Sequence, residues 1–350
     1  MSRTLTFSDA IREALEQSMT FDENVITYGL GINDPKRIFG TTKGLVEKFG
    51  KDRVFDMPTS ENAATGVAIG AAINGIRSVM VHQRIDFFLL AMDQLVNNAA
   101  KWKFMYDTSI PITIRLILGR GWGQGPTHSQ NFHSWFAHIP GLKVVMPSNS
   151  KDAKGLLIES IFDDNPVLFI EHRWLHNTSS IVPKKMFSHR LGKGEIKISG
   201  NHITIVSMSI MTIEAIHASK YLNNFGIECE VIDLKSINPI DWELIFRSVT
   251  KTGRIIAVDN GHGNVSVASE ILSKVSSNLW GKLKSAPKKL AMPDFPESSS
   301  PALTKNYHIR AEQIVLEVAN IFNKKINIEQ IIKSRKGQND VPGEWFKGPF

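Results

Sequence analysis

The apolar positions of this chain fall into two kinds of segment that alternate along it. Short runs such as 112–118 (Ile-Thr-Ile-Arg-Leu-Ile-Leu) have the length and the β-branched content of buried strands. Between them, segments such as 6–17 repeat their apolar residues every three to four positions, which predicts amphipathic helices. This alternation of strand and helix is typical of a parallel sheet covered by helices on both faces.

The alternation occurs twice, with a polar, proline-containing stretch between the two series. The first series has predicted strands at 24–29, 79–82, 112–118, 143–146 and 167–171, and predicted helices at 6–17, 43–49, 87–105 and 150–162, with one more beginning near Glu61. The second has predicted strands at 202–208, 228–233 and 254–259, and predicted helices at 212–225, 242–250, 265–276 and 311–322. We therefore expect an α/β protein with two successive parallel-sheet domains, at 1–180 and 201–324, joined by a linker at 181–200.

Two later segments show no period. Residues 287–302 are expected to form a loop. Residues 327–350 carry aromatic side chains without helical spacing, so the extension 325–350 is expected to be a tail or an arm that docks on a partner.

Charge and composition exclude several classes of protein. The formal net charge is +7, but the basic residues cluster only at 282–289 and 324–336, and no recognised nucleic-acid-binding motif accompanies them, which argues against a nucleic-acid partner. No apolar run reaches transmembrane length, and no hydrophobic signal segment opens the chain. The only cysteine, Cys229, excludes an internal disulfide. Together these features predict a cytoplasmic protein without a membrane partner.

The stretch 55–72 contains the most informative candidate residue. An extended segment ends at Pro58, Ser60 is a possible helix cap, and Glu61 falls in the first turn of a helix built from Gly and Ala. Glu61 either complements the helix dipole or serves a ligand or a neighbouring subunit. Both interpretations fit the local pattern.

Two further candidates have equally good structural interpretations. Phe87 opens an apolar segment, as core aromatic residues do, and His128 follows the glycine-rich loop 119–127. That loop matches a dinucleotide-binding fingerprint only weakly, because no apolar helix opens on its glycines and no acidic residue ends a following strand. A nucleotide-binding oxidoreductase is therefore a weak rival interpretation.

Several longer motifs, in their order and spacing, resemble the beta subunits of thiamine-diphosphate-dependent 2-oxo acid dehydrogenases, and most closely the pyruvate and acetoin members. The motifs that carry this resemblance are 44–50, 55–72, 86–97, 128–130, 135–148 and 152–156. The resemblance implies a transketolase-type pyrimidine-binding domain followed by a transketolase C-terminal domain. It also implies an α₂β₂ heterotetramer, in which the beta subunit self-associates and is active only with an alpha subunit.

The resemblance also assigns roles to individual residues. Glu61 stands at the position of the carboxylate that contacts the aminopyrimidine of thiamine diphosphate and promotes its reactive tautomer. Phe87 and Met57 are implied to contact the cofactor, and His128 to donate a proton to the substrate or position it. The chain contains no Gly-Asp-Gly, the motif that introduces the Mg²⁺ and diphosphate site of such enzymes. That half of the active site is expected from the alpha subunit.

The chain departs from the family pattern at a few positions. Arg84 stands where relatives usually have an aromatic residue, and with Gln83 it is expected to select a substrate that is anionic or strongly polar. Leu30 replaces a usual acidic residue. Asp163 and Asn165 match a position that helps hold a monovalent cation such as K⁺ in some relatives, although a plain loop turn explains them equally well.

We therefore expect the beta subunit of an enzyme that decarboxylates a 2-oxo acid or cleaves an acyloin. The fragment would pass to an acceptor such as the lipoyl group of an acyltransferase. One alternative is a specialised thiamine-diphosphate-dependent carbon–carbon ligase or transferase of a biosynthetic pathway. Another, of a different class, is a non-catalytic partner that stabilises or regulates an alpha-like subunit.

Overall fold

A computed structural model describes residues 2–121, 123–335, 340–344, 346 and 348 of the chain. These residues form two compact units. The first contains the residues up to Gly119 and Thr127–Leu191, and the second contains Arg120–Pro126 and the described residues of Gly192–Gly348. Among the described residues, no helix combines the length and the hydropathy needed to cross a membrane.

The first unit is built around a parallel sheet. Its strands are β1 (Ser2–Thr6), β2 (Val25–Gly29), β3 (Val54–Asp56), β4 (Arg77–His82), β5 (Ile112–Leu118), β6 (Lys143–Val145), β7 (Val167–His172) and β8 (Ser179–Pro183). Its helices are α1 (Phe7–Phe21), α2 (Leu45–Phe49), α3 (Glu61–Ile73), α4 (Ala100–Tyr106), α5 (His133–His138) and α6 (Ser150–Phe162). Among the strands of this unit, the parallel sheet has the order β6-β7-β5-β4-β2-β3, and β1 pairs separately with β8 in antiparallel fashion.

The second unit repeats the plan on a smaller scale. Its strands are β9 (Glu195–Ile198), β10 (Ile203–Ser207), β11 (Cys229–Asp233), β12 (Ser236–Asn238), β13 (Ile255–His262) and β14 (Lys288–Met292). Its helices are α7 (Ile210–Asn223), α8 (Trp242–Thr252), α9 (Val267–Leu279), α10 (Ala311–Ile321) and α11 (Glu329–Arg335). The sheet has the order β14-β13-β10-β11-β9, and only the edge strand β9 runs antiparallel to its neighbour.

Local sequence explains the best-defined elements. All seven residues of β5 are buried, as its unbroken apolar run predicts for the centre of a parallel sheet. Thr6 caps α1, since its hydroxyl accepts a hydrogen bond from the Asp9 amide at 3.0 Å. The buried faces of α1 and α6 pack against each other on one side of the sheet.

Other segments differ from the prediction. The predicted helix 87–105 begins as a 3-10 helix (Phe87–Ala91) and a π-helix (Gln94–Ala99) before α4, and the low helix propensity of Asn97 and Asn98 is consistent with this. Strand β14 lies in the predicted loop 287–302 and β9 in the predicted linker. Basic residues obscure the strand pattern of β14, as they often do at sheet edges.

The extension beyond residue 325 contains a helix that periodicity did not predict. Ion pairs, rather than an apolar stripe, stabilise α11. Within the helix, Lys333 Nζ lies 3.4 Å from Glu329, and Arg335 pairs with Glu312 of α10. A helix held by ion pairs has no hydrophobic period to detect.

Candidate active site

The predicted site residues of the first unit gather at the carboxyl edge of its parallel sheet. Met57 follows β3, and Gln83 and Arg84 follow β4. Parallel α/β sheets bind their ligands at this edge, because the strand-to-helix loops and the helix amino termini meet there. Sequence order alone therefore places these side chains on the correct side of the sheet for chemistry.

Glu61 is the first residue of α3 and is only 4% exposed. Ser60 occupies the N-cap position but its side chain makes no capping hydrogen bond, so the prediction of a serine cap is wrong. Among the described residues, none donates a hydrogen bond to the Glu61 carboxylate. The carboxylate oxygens keep some contact with solvent, and the positive end of the helix dipole favours their charge. The side chain is thus available to a donor from a ligand. Met57, the nearby candidate, is also buried, and its amide donates to the Gly29 carbonyl at 3.1 Å.

Phe87 and His128 lie in contact. Their rings meet edge to face, with centroids 5.5 Å apart and an interplanar angle of 89°. His128 is exposed and Phe87 is half-buried, and the Thr127 hydroxyl lies 3.0 Å from His128 Nδ1. An accessible imidazole whose orientation is supported in this way can exchange a proton with a bound ligand.

Arg84 binds the backbone beside the candidate histidine. Its Nη1 donates to the His128 carbonyl oxygen at 3.1 Å. Burial lowers the pKa of Arg84, and the nearby charge of Asp86 opposes that shift. Burial raises the pKa of Asp86, although its Oδ1 accepts a hydrogen bond from Gln130 Nε2 at 2.8 Å. The segment 128–130 is therefore held at both ends by side chains that follow β4.

The loop after β2 is held by Gln83 and Asp56. Gln83 Nε2 donates to the Leu30 carbonyl at 2.9 Å, and Asp56 Oδ1 accepts from the Ile32 amide at 2.8 Å. Asp56, rather than an acid at position 30, is thus the carboxylate that organises this loop. The sequence contained a signal for it, because Asp56 ends an extended segment directly before the Pro58 turn, but we did not identify it.

Arg173 is a second residue that sequence analysis missed. It is completely buried, and its guanidinium lies 5.3 Å from the centre of the Phe39 ring. Burial, reinforced by the positive charge of Arg84, lowers the pKa of Arg173 to about 9. Two neighbouring arginines, whose charges Asp86 offsets in part, create a positive field that favours an anionic ligand. The signal was an arginine immediately after an apolar strand.

A buried ion pair supports this edge of the sheet from behind. Arg115 of β5 donates to both oxygens of Glu171 on β7, at 2.6 and 3.0 Å, and His176 Nε2 lies 3.1 Å from the same carboxylate. Burial, the largest single influence, would raise the pKa of Glu171, but Arg115 and His176 together outweigh it and the pKa is lowered. The two cationic groups flank one carboxylate, and we interpret all three as structural, although Arg115 Nη1 and His176 Nδ1 have no hydrogen-bond partner among the described residues.

His82, the last residue of β4, was also missed. Burial lowers its pKa to about 4, so the ring is neutral at physiological pH. It packs on Phe88 with ring centroids 4.8 Å apart, and its Nε2 has no hydrogen-bond partner among the described residues. Position and burial make it a neutral wall of the candidate site.

Asp163 and Asn165 form a turn whose oxygens face protein cations. Asp163 Oδ1 accepts from the Asn165 amide at 2.9 Å and Oδ2 lies 2.5 Å from Lys143 Nζ, while Arg77 Nη1 donates to the carbonyls of Asp163 and Ile161 at 3.1 and 3.2 Å. A monovalent cation at this turn would have to displace one of these donors. No cluster of three or more His, Cys, Asp or Glu side chains suited to a metal occurs in the described part of the chain.

Comparison with known proteins identifies both domains. Residues 3–178 match the transketolase pyrimidine binding domain, and residues 192–314 match the transketolase C-terminal domain. A solved structure titled "Split gene transketolase, inactive beta4 tetramer" matches 92% of this chain and 99% of its own, with a TM-score of 0.75 at 20% identity. At that identity the likeness concerns the fold, and it confirms the prediction of two transketolase-type α/β domains.

Relatives of known function extend along most of the chain. The acetoin:2,6-dichlorophenolindophenol oxidoreductase subunit beta of Bacillus subtilis is 36% identical over 90% of this chain and 96% of its own length. The 2-oxoisovalerate dehydrogenase subunit beta of the same organism is 34% identical over 89% of this chain and 96% of its own length. The pyruvate dehydrogenase E1 component subunit beta of Rickettsia conorii is 36% identical over 83% of this chain and 90% of its own length. The predicted family is thereby confirmed: the chain belongs to the transketolase-like family that contains the beta subunits of acetoin and 2-oxo acid dehydrogenases.

Proposed function

We propose that this chain is the beta subunit of a heteromeric enzyme that uses thiamine diphosphate to decarboxylate a 2-oxo acid or to cleave an acyloin. The observation that carries the proposal is Glu61, a buried carboxylate at a helix amino terminus that no described residue pairs. Relatives named for acetoin, pyruvate and 2-oxoisovalerate support the class of reaction.

The side chains around Glu61 fit the aminopyrimidine half of that cofactor. The unpaired carboxylate suits a protonated ring nitrogen, and the half-buried ring of Phe87 offers an aromatic surface against which a second ring can pack. When bound, thiamine diphosphate supplies the nucleophilic carbon and the electron sink for decarboxylation. Glu61 holds a proton between its carboxylate oxygen and the ring nitrogen, and Met57 contributes an apolar wall.

The substrate side of the site is assigned to His128, Arg84 and Gln83. His128 donates from its imidazole to a substrate oxygen. Arg84, with Arg173 behind it, attracts the carboxylate of the substrate and favours a further polar or anionic group. Gln83 acts on selectivity through the loop that it binds at Leu30.

The diphosphate and its Mg²⁺ are assigned to an alpha-type subunit, with further association between beta subunits. Exposed apolar side chains on the first unit support an association surface: Val67 on α3 is 68% exposed, Leu90 on the following 3-10 helix 67%, and Phe104 on α4 93%. We place the assembled enzyme in the cytoplasm.

The acceptor of the fragment is proposed to be a lipoyl group on an acyltransferase. A carbon–carbon ligase is the second candidate, and the cation at Arg84 favours it, because a guanidinium beside the site suits a polar acceptor better than an apolar wall does. Assays of the assembled enzyme with a lipoyl domain and, separately, with aldehydes and second 2-oxo acids distinguish the two.

Isothermal titration tests the shared site. The chain alone and the chain purified with an alpha-type subunit of the same organism are titrated with thiamine diphosphate and Mg²⁺, and both are assayed with pyruvate, 2-oxoisovalerate and acetoin. We expect stoichiometric binding and turnover only in the co-purified complex. Tight stoichiometric binding by the chain alone would contradict the shared site, and a complex that binds cofactor without turnover would favour the non-catalytic alternative.

A further inference from the structure

The glycine-rich loop that leads to His128 is tightly fitted into the second unit. Residues Arg120–Pro126 belong to that unit, and Thr127 and His128 follow directly in the chain. A Cβ added at Gly125 would lie 2.3 Å from Ser299 Oγ, so the loop approaches Ser299 closely and a larger residue would displace that hydroxyl. The position of this loop therefore depends on the contacts that residues 120–126 make within the second unit.

One guanidinium anchors the loop. Arg120 is fully buried, and its Nε donates to Asp340 Oδ2 at 3.0 Å while its Nη1 donates to Glu297 Oε1 at 3.1 Å. Its remaining contacts are to the carbonyl oxygens of Ser298 and, at 2.6 Å, Ser299. A guanidinium offers five donors in a rigid fork, so these acceptors fix its orientation as well as its position.

Asp340 comes from the extension and is itself fully buried. The neighbouring Val341 carbonyl accepts a hydrogen bond from Arg310 Nη2 at 3.2 Å, and Pro342 is buried as well. Residues 340–342 are thus docked on their own unit through two arginines. They lie beyond residue 314, where the match to the transketolase C-terminal domain ends.

The charges around Arg120 make Asp340 hard to replace. Glu297 is shared, because its carboxylate also lies 2.8 Å from His308 Nε2. Burial lowers the pKa of His308, while the charge of Glu297 opposes that shift. A neighbouring cation, Arg310, faces the same cluster. Removing the Asp340 carboxylate takes a charged acceptor from a buried guanidinium, and an undercompensated buried charge is strongly unfavourable.

We propose that residues 340–342 form a strap that positions the loop Arg120–Pro126, and through it His128. Asp340 is a positioning residue, since it acts through Arg120 and contacts no reacting group. The anchoring stands on the contacts above, whereas its consequence for turnover rests on the proposed function. The extension is thereby assigned an internal role, which differs from docking on a partner.

Hydrogen exchange of the full chain tests the anchoring without any assay of activity. Asp340→Ala is compared with wild type and with Glu344→Ala, which removes an exposed carboxylate from the same segment. Losing a charge-assisted hydrogen bond should speed exchange of the amides in 119–128 by about ten- to a hundred-fold. Glu344→Ala, and the peptides of β5 in every variant, should match wild type. Unchanged exchange in 119–128 of Asp340→Ala would overturn the strap.

Turnover of the assembled enzyme tests the positioning. With rates expressed per bound cofactor, Asp340→Ala should lower kcat by about ten- to a hundred-fold with little change in KM, since small misplacements of a catalytic group cost rate. Asp340→Asn keeps the shape of the side chain and one acceptor oxygen, and it replaces the alanine variant if that variant does not fold. Its kcat should fall between those of wild type and Asp340→Ala. Faster exchange with an unaltered kcat would overturn the positioning role. If the wild-type complex shows no turnover, the proposed function fails, and the exchange experiment still decides the strap.

Discussion

Both units place buried carboxylates near the carboxyl ends of their parallel strands, but they use these groups differently. In the second unit, Asp259 of β13 is fully buried and accepts hydrogen bonds from the Gly261 amide at 2.8 Å and the Ala268 amide at 3.2 Å. Ala268 lies in the first turn of α9, so this aspartate ties a strand to the helix that follows it. In the first unit, Glu61 starts a helix in a similar place and is almost as deeply buried, yet no described residue donates to it.

A second aspartate makes the contrast more general. Asp233 ends β11, and its Oδ1 accepts from the Thr212 hydroxyl and the Lys235 amide, both at 3.2 Å. Asp259 and Asp233 are thus hydrogen-bonded within the fold and serve stability. A buried acid left without a donor costs free energy, and proteins usually retain such a group where a ligand will pair with it. Pairing, more than burial or position, separates the structural carboxylates from the functional one.

Among the tests of this contrast between structural and functional carboxylates, Glu61→Gln should have the largest effect. The amide keeps the shape of the side chain but cannot exchange a proton with the cofactor ring. Loss of such a contact should lower turnover of the assembled enzyme by about 10²–10⁴-fold with fold and assembly intact. Steady-state kinetics, with circular dichroism and size-exclusion chromatography as controls, measure this. Turnover close to wild type would reduce Glu61 to a residue that complements the helix dipole.

Arg84→Phe should have the next largest effect, and on selectivity. It restores the apolar wall that relatives usually have and removes the donor to the His128 carbonyl. Loss of a charge-assisted hydrogen bond to the substrate should cost roughly 1.5–3 kcal/mol, or about ten- to a hundred-fold in specificity. Comparison of kcat/KM for simple and acidic 2-oxo acids measures it, and cofactor affinity should remain unchanged. Equal ratios in both proteins would make position 84 irrelevant to substrate choice.

Asp259→Asn should affect stability and leave chemistry alone. The amide can replace only one of the two acceptors, so one buried amide loses its partner, at a cost of about 1–3 kcal/mol in the free energy of unfolding. Urea unfolding measures this, and Asp294→Asn, on an exposed aspartate of the same unit, should stay within about 0.5 kcal/mol of wild type. A large fall in kcat per folded enzyme would show that the second unit also holds a functional carboxylate.

The spacing of apolar residues predicted the elements that bury apolar surface. It did not predict the elements that are stabilised by ion pairs. Strand β5 and helix α6 have the predicted bounds because each is enclosed by other elements along its length. Helix α11 and strand β14 carry basic residues that pair with acids distant in sequence, Arg335 with Glu312 and Lys288 with Glu317, instead of an apolar stripe. Such contacts leave no local pattern.

The candidate site divides in the same way. Glu61, Phe87 and His128 lie in long motifs that resemble a known family, and the structure brings Phe87 and His128 together. Arg173 and the Arg120–Asp340 pair were not predicted, because a buried charge shows in a sequence only when its partner is close in the chain. Asp340 lies 220 residues from Arg120.

The smallest expected effect concerns a carboxylate paired at the surface. Glu16 of α1 lies 2.7 Å from Lys48 Nζ and 3.0 Å from Arg12 Nη1, and the hydrogen bond from Lys48 is the main reason that its pKa is lowered. A lowered pKa in the folded state means that the pair stabilises the protein above the unfolded pKa of about 4.3, and that the contribution is lost as the pH falls through the folded value. Because Glu16 is largely solvated, screening limits the effect, and Lys48→Gln should cost only about 0.2–1 kcal/mol at pH 7.

Urea unfolding of Lys48→Gln at pH 7 and at pH 3.5, in low salt and in about 1 M salt, tests the pair, since salt at that concentration screens exposed charges. The cost should be largest at pH 7 in low salt, and smaller at the lower pH and in the higher salt. Lys51→Gln, at an exposed lysine without an ion pair among the described residues, should show no such dependence. A cost equally large at pH 3.5 would mean that Lys48 acts through its contact with the Phe49 ring, 5.3 Å away, and that a surface-paired carboxylate contributes nothing. Among these carboxylates, only one difference would then have a measurable effect: whether a buried carboxylate accepts hydrogen bonds within the fold, as Asp259 does, or does not, as in Glu61.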